Sequence, residues 1–140
     1  MSYRLSARSL SRLEGVHPDL VRVVKRAIQI TEVDFTVLEG LRTPARQREL
    51  VAAGASQTQN SRHLTGHAVD LGAWVGGEVR WDWPLYYKIA DAMKRAAALE
   101  GVPLEWGGDW RTLKDGPHFQ LPTKQYPAAP AAPAPVAKAA

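Results

Sequence analysis

Apolar residues recur at helical spacing in two long stretches of the chain. Between positions 18 and 30 they occupy positions i, i+3, i+4, i+7 and i+8, which form one face of a helix that Pro18 can open. A second such face runs from Pro84 until Gly101 stops it. The two faces consist of Leu20, Val23, Val24, Ala27 and Ile28, and of Leu85, Ile89, Met93 and Ala96. A further helix is predicted after Thr43, a capping residue, with Pro44 in its first turn and Gly54 beyond its end.

Short runs of β-branched and aromatic residues predict strands between these helices. Residues 34–38 form one such run, and residues 68–75 and 78–81 flank Gly76-Gly77, a pair typical of a tight hairpin. Residues 102–106 and 118–121 are shorter strand candidates. Helices mixed with hairpin-linked strands favour an α+β fold, in which a small antiparallel sheet packs against about three helices.

The chain of 140 residues, 45% of them hydrophobic, is long enough for one compact domain. From Pro127 onward it reads PAAPAAPAPVAKAA, a composition that buries too little apolar surface to fold. We therefore predict one folded domain over 1–126, including a polar loop at 55–62, and a disordered tail over 127–140.

Charge and cysteine content restrict the chemistry and the partners. Eighteen Lys and Arg against fourteen Asp and Glu give a formal charge of +4, which favours polyanions such as nucleic acid or bacterial wall polymers without choosing between them. Cysteine is absent, so strong zinc ligands must be His or carboxylate. No apolar stretch suits membrane insertion, and Met1 to Ser6 lack the order of a secretory signal, so we expect synthesis in a cytoplasm.

One His/Asp cluster lies in the middle of the chain, at Ser61-Arg62-His63-Leu64-Thr65-Gly66-His67-Ala68-Val69-Asp70. A turn at Gly66 would bring the His63 imidazole and the Asp70 carboxylate onto one metal ion. The alternative pair, His63 with His67 on one helix face, is disfavoured because Gly66 weakens a helix and the residues after His67 alternate like a strand. His67 is then a supporting or substrate-facing residue, or a polar residue satisfied at a strand edge.

A second cluster, Asp115-Gly116-Pro117-His118, could complete that site from far along the chain. Pro117 excludes a continuing helix, so a turn separates the two polar side chains. His118 would bind the metal. If such a site hydrolyses an amide bond, Asp115 would take a proton from the metal-activated water and pass it to the departing amine. Spacing alone leaves the alternative open that these residues are surface or capping groups.

Both clusters, together with Glu105-Trp106-Gly107-Gly108-Asp109-Trp110 between them, closely resemble the zinc D,D-carboxypeptidase and L-alanyl-D-glutamate endopeptidase family. The similarity covers about residues 10 to 121. It implies the fold of D,D-peptidases and hedgehog domains, one zinc ion held by His63, Asp70 and His118, and Asp115 as the catalytic acid. Arg42 matches an arginine of the family that stabilises the oxyanion. Candidate substrate or supporting residues are Ser61, His67, Trp106, Asp109 and Trp110.

The resemblance also implies a function. Carboxypeptidase and dipeptidase members carry Glu at the Asp115 position, whereas phage lytic endopeptidases often carry Asp, which favours a phage endolysin-like enzyme. We expect it to hydrolyse the L-alanyl-D-glutamate bond of peptidoglycan stem peptides through a zinc-activated water. It would act as a monomer, without nucleic acid, and reach the wall through a separate membrane pore. The alternatives are a D-alanyl-D-alanine carboxypeptidase or dipeptidase and a non-catalytic basic module that binds wall polymer or nucleic acid.

Overall fold

A computed structural model describes residues 3–56 and 61–127 of the chain. In this part the helices are α1 (Ala7–Arg12), α2 (Pro18–Ile30), α3 (Pro44–Ala52) and α4 (Trp83–Glu100). The strands are β1 (Phe35–Glu39), β2 (Ala68–Val75), β3 (Glu78–Arg80), β4 (Glu105–Trp106) and β5 (His118–Gln120). Two short 3₁₀ helices, Arg62–Thr65 and Gly107–Asp109, precede β2 and follow β4. The predicted α+β architecture is confirmed.

The strands form one antiparallel sheet in the order β1-β2-β5-β4, with β3 paired to the far end of β2. In this register Asp70 of β2 lies opposite His118 of β5 and opposite Glu39 of β1. Residues that are far apart in sequence therefore meet at the centre of the sheet.

The two faces of the sheet have different environments. One face packs against α2 and α4 and contributes buried side chains to the core, among them Val37, Leu71 and Phe119. Side chains alternate along a strand, so the neighbours of these residues lie on the opposite face. We call this the outer face; it carries Thr36, Leu38, Asp70, Gly72, Trp74, Val79, His118 and Gln120.

Helix α1 covers the free edge of β1. The Ser9 hydroxyl accepts a hydrogen bond from the Val37 amide at 2.9 Å, and Arg12 Nη1 donates to the Val37 carbonyl at 3.0 Å. Side chains thus satisfy the two backbone groups that a neighbouring strand would otherwise bind. The sequence patterns did not predict this helix.

The remaining helices match their predictions closely. Helix α2 has the predicted bounds and buries the predicted face, and Thr43 caps α3 by accepting a hydrogen bond from the Arg46 amide. Helix α4 starts one residue before Pro84 and ends at Gly101, whose φ of 69° is left-handed. None of the helices in the described ranges is long and apolar enough to cross a membrane.

One predicted strand and one predicted loop are shorter in the structure than expected. The predicted strand 102–106 is paired only at Glu105–Trp106, and the predicted polar loop 55–62 ends early because Arg62 begins a 3₁₀ helix. Residues 57–60 of that loop and 128–140 of the predicted tail lie outside the described residues. The domain boundary near 126 therefore stays a prediction.

Candidate metal centre

His63, Asp70 and His118 converge on the outer face of the sheet. One ligand atom from each lies within 4.8 Å of the others, an arrangement that could hold a metal ion. Both His63 Nε2 and His118 Nδ1 lie 3.3 Å from the same carboxylate oxygen, Asp70 Oδ1. Both rings are buried, and the Asp70 side chain is 21% exposed, so the group is accessible from one side.

The first 3₁₀ helix and its surroundings fix the His63 ring. Ser61 caps this helix by accepting a hydrogen bond from the His63 amide, and Gly66 ends it in a left-handed conformation with φ 76°. His63 Nδ1 lies 2.8 Å from the Gly40 carbonyl oxygen, which can only accept a hydrogen bond. His63 Nδ1 therefore carries the proton, and Nε2 directs a lone pair at Asp70.

A chain of hydrogen bonds fixes His118 in the same way. His118 Nε2 lies 2.7 Å from Gln120 Oε1, while Gln120 Nε2 donates to Glu105 Oε1 at 2.8 Å. Because Glu105 orients the Gln120 amide, its oxygen faces the ring and accepts from Nε2. The lone pair of His118 then lies on Nδ1, the atom nearest Asp70.

These tautomers bring three electron pairs together without a proton between them. His63 Nε2 and Asp70 Oδ1 are buried and have no hydrogen-bond partner. Acceptors that face one another in a buried site repel unless a cation lies between them. Two imidazole nitrogens and a carboxylate are a donor set suited to zinc, so the residues fit this ion.

The electrostatics of the three side chains agree with that conclusion. Burial acts to raise the pKa of the Asp70 carboxyl, but His118 and His63 outweigh it and hold that pKa well below its usual range. Burial also acts to lower the pKa of His118, but the nearby Asp70 carboxylate outweighs it by favouring the protonated ring, so in the absence of a metal ion this pKa is raised. The centre of the group thus attracts positive charge, which a proton or a metal ion can supply.

Asp115 lies beside this group on the turn before β5. Its amide donates to the Gly107 carbonyl at 3.1 Å, and its carbonyl accepts from the His118 amide at 3.2 Å. Only glycine fits at 107, because a Cβ there would lie 2.4 Å from the Asp115 carbonyl oxygen. Burial, followed by repulsion from Asp70, raises the pKa of the Asp115 carboxyl. A carboxyl group with such a pKa is suited to accept and release a proton.

Arg42 is buried at the edge of the same group. Its guanidinium forms a two-pronged pair with Glu39, donates to Gln47 Oε1 at 2.8 Å and lies 3.8 Å from Asp70 Oδ2. Its Nη1 also lies 3.4 Å from the Ser61 hydroxyl. Most of its donors are therefore engaged with Glu39, Gln47 and Ser61, whose side chains lie around the metal centre.

The five candidate substrate or supporting residues have different environments in the structure. Ser61 supports His63, and the Trp110 ring lies next to His118, with centroids 5.1 Å apart. Trp106 is buried in the core and donates from Nε1 to the Gly116 carbonyl at 2.7 Å, so it supports the turn. Asp109 forms an exposed ion pair with Lys94. His67 bonds to Thr65, and its ring neighbours in the described residues are His17 and Tyr126.

Sequence reasoning missed the residues that support the ligands. Gln120 follows His118 by two positions in the same strand, so alternation places both side chains on one face, and this signal was available. Gly40 contributes only its backbone carbonyl, which has no side-chain signal in the sequence. Glu105 supports Gln120 across a strand pair, and this pairing is known only from the register of β4 and β5.

Comparison with known proteins agrees with this geometry. Residues 1–121 match the family model described as phage L-alanyl-D-glutamate peptidase. The L-alanyl-D-glutamate peptidase of Escherichia phage T5 is 31% identical over 119 residues, which span 82% of this chain and 87% of that protein. The peptidoglycan L-alanyl-D-glutamate endopeptidase CwlK of Bacillus subtilis is 27% identical over 111 residues, 70% of this chain and 66% of that protein. A crystal structure of the Serratia marcescens L-Ala D-Glu endopeptidase ChiX is 58% identical, with a TM-score of 0.86 and coverage of 91% of this chain and 96% of that chain.

Proposed function

The chain belongs to the phage L-alanyl-D-glutamate peptidase family, and we propose from this membership that it is a zinc peptidase acting on peptidoglycan. Its reaction is hydrolysis of the bond between L-alanine and D-glutamate in the stem peptide. The observation that supports a metal mechanism is the convergence of two imidazole nitrogens and a carboxylate oxygen, from His63, His118 and Asp70, within 4.8 Å of one another; of these atoms His63 Nε2 and Asp70 Oδ1 are buried and have no hydrogen-bond partner.

Each residue of the centre has a role in this proposal. His63, Asp70 and His118 would hold the zinc ion, which when bound polarises the peptide carbonyl and lowers the pKa of water. Asp115 lies beside them with a raised pKa, so it takes the proton of the attacking water and delivers it to the departing D-glutamate amine. Arg42 stabilises the negative charge that develops on the carbonyl oxygen and steadies Asp70.

The site of action follows from the substrate. Peptidoglycan lies in the cell wall, and the basic surface suits an anionic wall. We propose that the enzyme acts there as a monomer after release, and that it passes the membrane through a separate pore.

Digestion of purified muropeptides tests the proposal. Mass spectrometry should find fragments that end in L-alanine and fragments that begin with D-glutamate. EDTA should abolish their release, and added zinc should restore it. Release of terminal D-alanine alone would instead indicate the carboxypeptidase alternative.

The non-catalytic alternative is separated by a second comparison. Asp115→Ala should bind zinc as well as the unchanged protein does and yet release no fragments. If peptidoglycan clearing survives both EDTA and this substitution, the zinc peptidase proposal is wrong.

A further inference from the structure

A cavity separate from the metal centre lies on the outer face of the sheet, between α1 and strands β1, β2 and β3. Its volume is about 500 Å³. Its walls include the outer-face residues Thr36, Leu38, Trp74 and Val79. None of the reaction steps proposed above uses this cavity, although it shares a face with the metal centre.

The distance between the two sites can be read from β2. Asp70 and Trp74 lie on the same face of this strand, four residues apart, which corresponds to about 13 Å. Between them Leu38 and Val79 close over Gly72, where an added Cβ would lie 3.0 Å from each side chain. These two side chains form the wall of the cavity nearest the metal centre.

The polar lining of the cavity has an unusual combination of charges. Arg4 and Arg8 line it and form no ion pair with any residue in the described part of the chain, whereas Arg12 is held by the Val37 carbonyl. Asp34 also lines it, and its Oδ1 is buried without a hydrogen-bond partner. The cavity therefore offers free guanidinium groups to a carboxylate and the Asp34 carboxylate to an amine.

We propose that this cavity binds the free end of the diamino acid that follows D-glutamate in the stem peptide, a group with an amine and, in some walls, a carboxylate. The amine would bind Asp34, and the carboxylate would bind Arg4 and Arg8. This inference rests on the proposed function, because it assigns a position of that substrate to a second part of the outer face.

Charge and length both favour this part of the substrate. On the sugar side of the scissile bond the muropeptide offers amides and hydroxyls, while the free carboxylates and the amine lie on the D-glutamate side. From the L-alanine carbonyl to the end of an extended diamino acid side chain, linked through the γ-carboxyl of glutamate, the covalent path spans roughly 15 Å. The substrate is therefore long enough to reach from the metal centre to the level of Trp74 on β2.

Three synthetic peptides test the assignment. They are L-Ala-D-Glu, L-Ala-γ-D-Glu-L-Lys with a free amine, and L-Ala-γ-D-Glu-meso-diaminopimelate with an amine and a carboxylate. The unchanged enzyme should show the lowest kcat/KM on the dipeptide and the highest on the diaminopimelate peptide, with about tenfold for each added charged contact.

Two variants assign the contacts. The double change Arg4→Gln and Arg8→Gln should remove the preference for diaminopimelate over lysine, whereas Asp34→Asn should lower kcat/KM about tenfold on both tripeptides and keep that preference. The matched control is Lys88→Gln with Arg95→Gln, which removes the same charge from exposed positions on α4 and should leave all ratios unchanged. Because Arg4 and Arg8 are exposed, the double arginine variant should fold, and it still tests the proposal if Asp34→Asn does not fold.

The outcomes separate the two proposals. If the zinc-loaded enzyme cleaves none of the three peptides, the proposed function fails. If it cleaves all three with equal kcat/KM, or if the arginine variant lowers all three by the same factor, the enzyme is a peptidase and this cavity is not its subsite. Calorimetric titration of the diaminopimelate peptide into Asp115→Ala gives a second readout, and the arginine change made in that background should weaken Kd about tenfold.

Discussion

Gln120 is the residue on which the tautomer of His118 depends. It accepts from His118 Nε2 and is itself held by Glu105. We predict that Gln120→Leu weakens zinc affinity by about 10- to 100-fold, the usual effect of losing such a support. Competition with a chromogenic chelator measures this affinity. Gln125→Leu, an exposed glutamine change outside the sheet, should leave it unchanged; equal affinities for both variants would contradict the role of Gln120.

In the proposed mechanism Asp115 differs from the three residues that would hold the metal, because its role there is proton transfer. We expect Asp115→Asn to lower kcat/KM by about 10² to 10⁴ while zinc affinity stays near that of the unchanged protein. The acidic limb of the kcat/KM profile of the zinc-loaded enzyme should report the pKa that Asp115 has beside the metal centre. Steady-state kinetics on a muropeptide from acidic to neutral pH measure both, and an acidic limb that is unchanged in a residually active Asn variant would contradict the assignment.

The same pKa has a consequence for stability in the metal-free protein. A carboxyl whose pKa is raised on folding stabilises the fold at pH values below its unfolded pKa, and this contribution is lost as the pH rises through the folded pKa. Asp115→Asn should therefore raise the Tm of the EDTA-treated protein at pH 7, with a difference that disappears below about pH 4. Thermal melts at the two pH values check this, and a lower Tm at pH 7 would contradict it.

At the scale of elements, α1 matters because it closes the edge of the sheet. Ser9 is fully buried and binds the Val37 amide, so Ser9→Ala should lower the free energy of unfolding by about 1 to 3 kcal/mol. Urea unfolding measures the loss, and Ser11→Ala, on the exposed side of the same helix, is the control. Since Ser9 lies outside the metal centre, kcat should not change; similar stabilities of the two variants would count against this role of α1.

The helices and strands also show which elements a sequence pattern can predict and which it cannot. The α2 prediction succeeded because five apolar residues share one face, and the β2–β3 hairpin because Gly76 and Gly77 adopt the left-handed φ values of 63° and 82° that a tight turn requires. Helix α1 has only six residues, too few for a helical period to be visible. Strand β4 has two, and its pairing depends on β5.

The same limit applies to the candidate site. The local pair His63 and Asp70 was visible from spacing, but spacing could not select His118, because that ligand meets them only through the register of β2 and β5. Family resemblance supplied what local chemistry could not. The supporting acceptor Gly40 lies beyond any pattern, since a backbone carbonyl carries no side-chain signal.

For the whole molecule, the metal centre joins segments that are distant in sequence. His63 and His118 lie 55 positions apart (118 − 63), so a bound ion restrains most of the chain that carries the sheet. Zinc at 100 times its Kd should stabilise the fold by about 2.7 kcal/mol, because it binds only the folded state. Calorimetry with and without zinc measures the rise in Tm, and His118→Ala should abolish it. A rise that persists in that variant would place the stabilising ion elsewhere.

The edges of the sheet affect whether copies of the protein assemble with one another at high concentration. An open strand edge is a template on which further chains can assemble into fibres. Here one margin is sealed by the Ser9 and Arg12 side chains, and the other consists of the short strands β3 and β4, which have three and two residues. Concentrated stocks should therefore not assemble into fibres through this sheet.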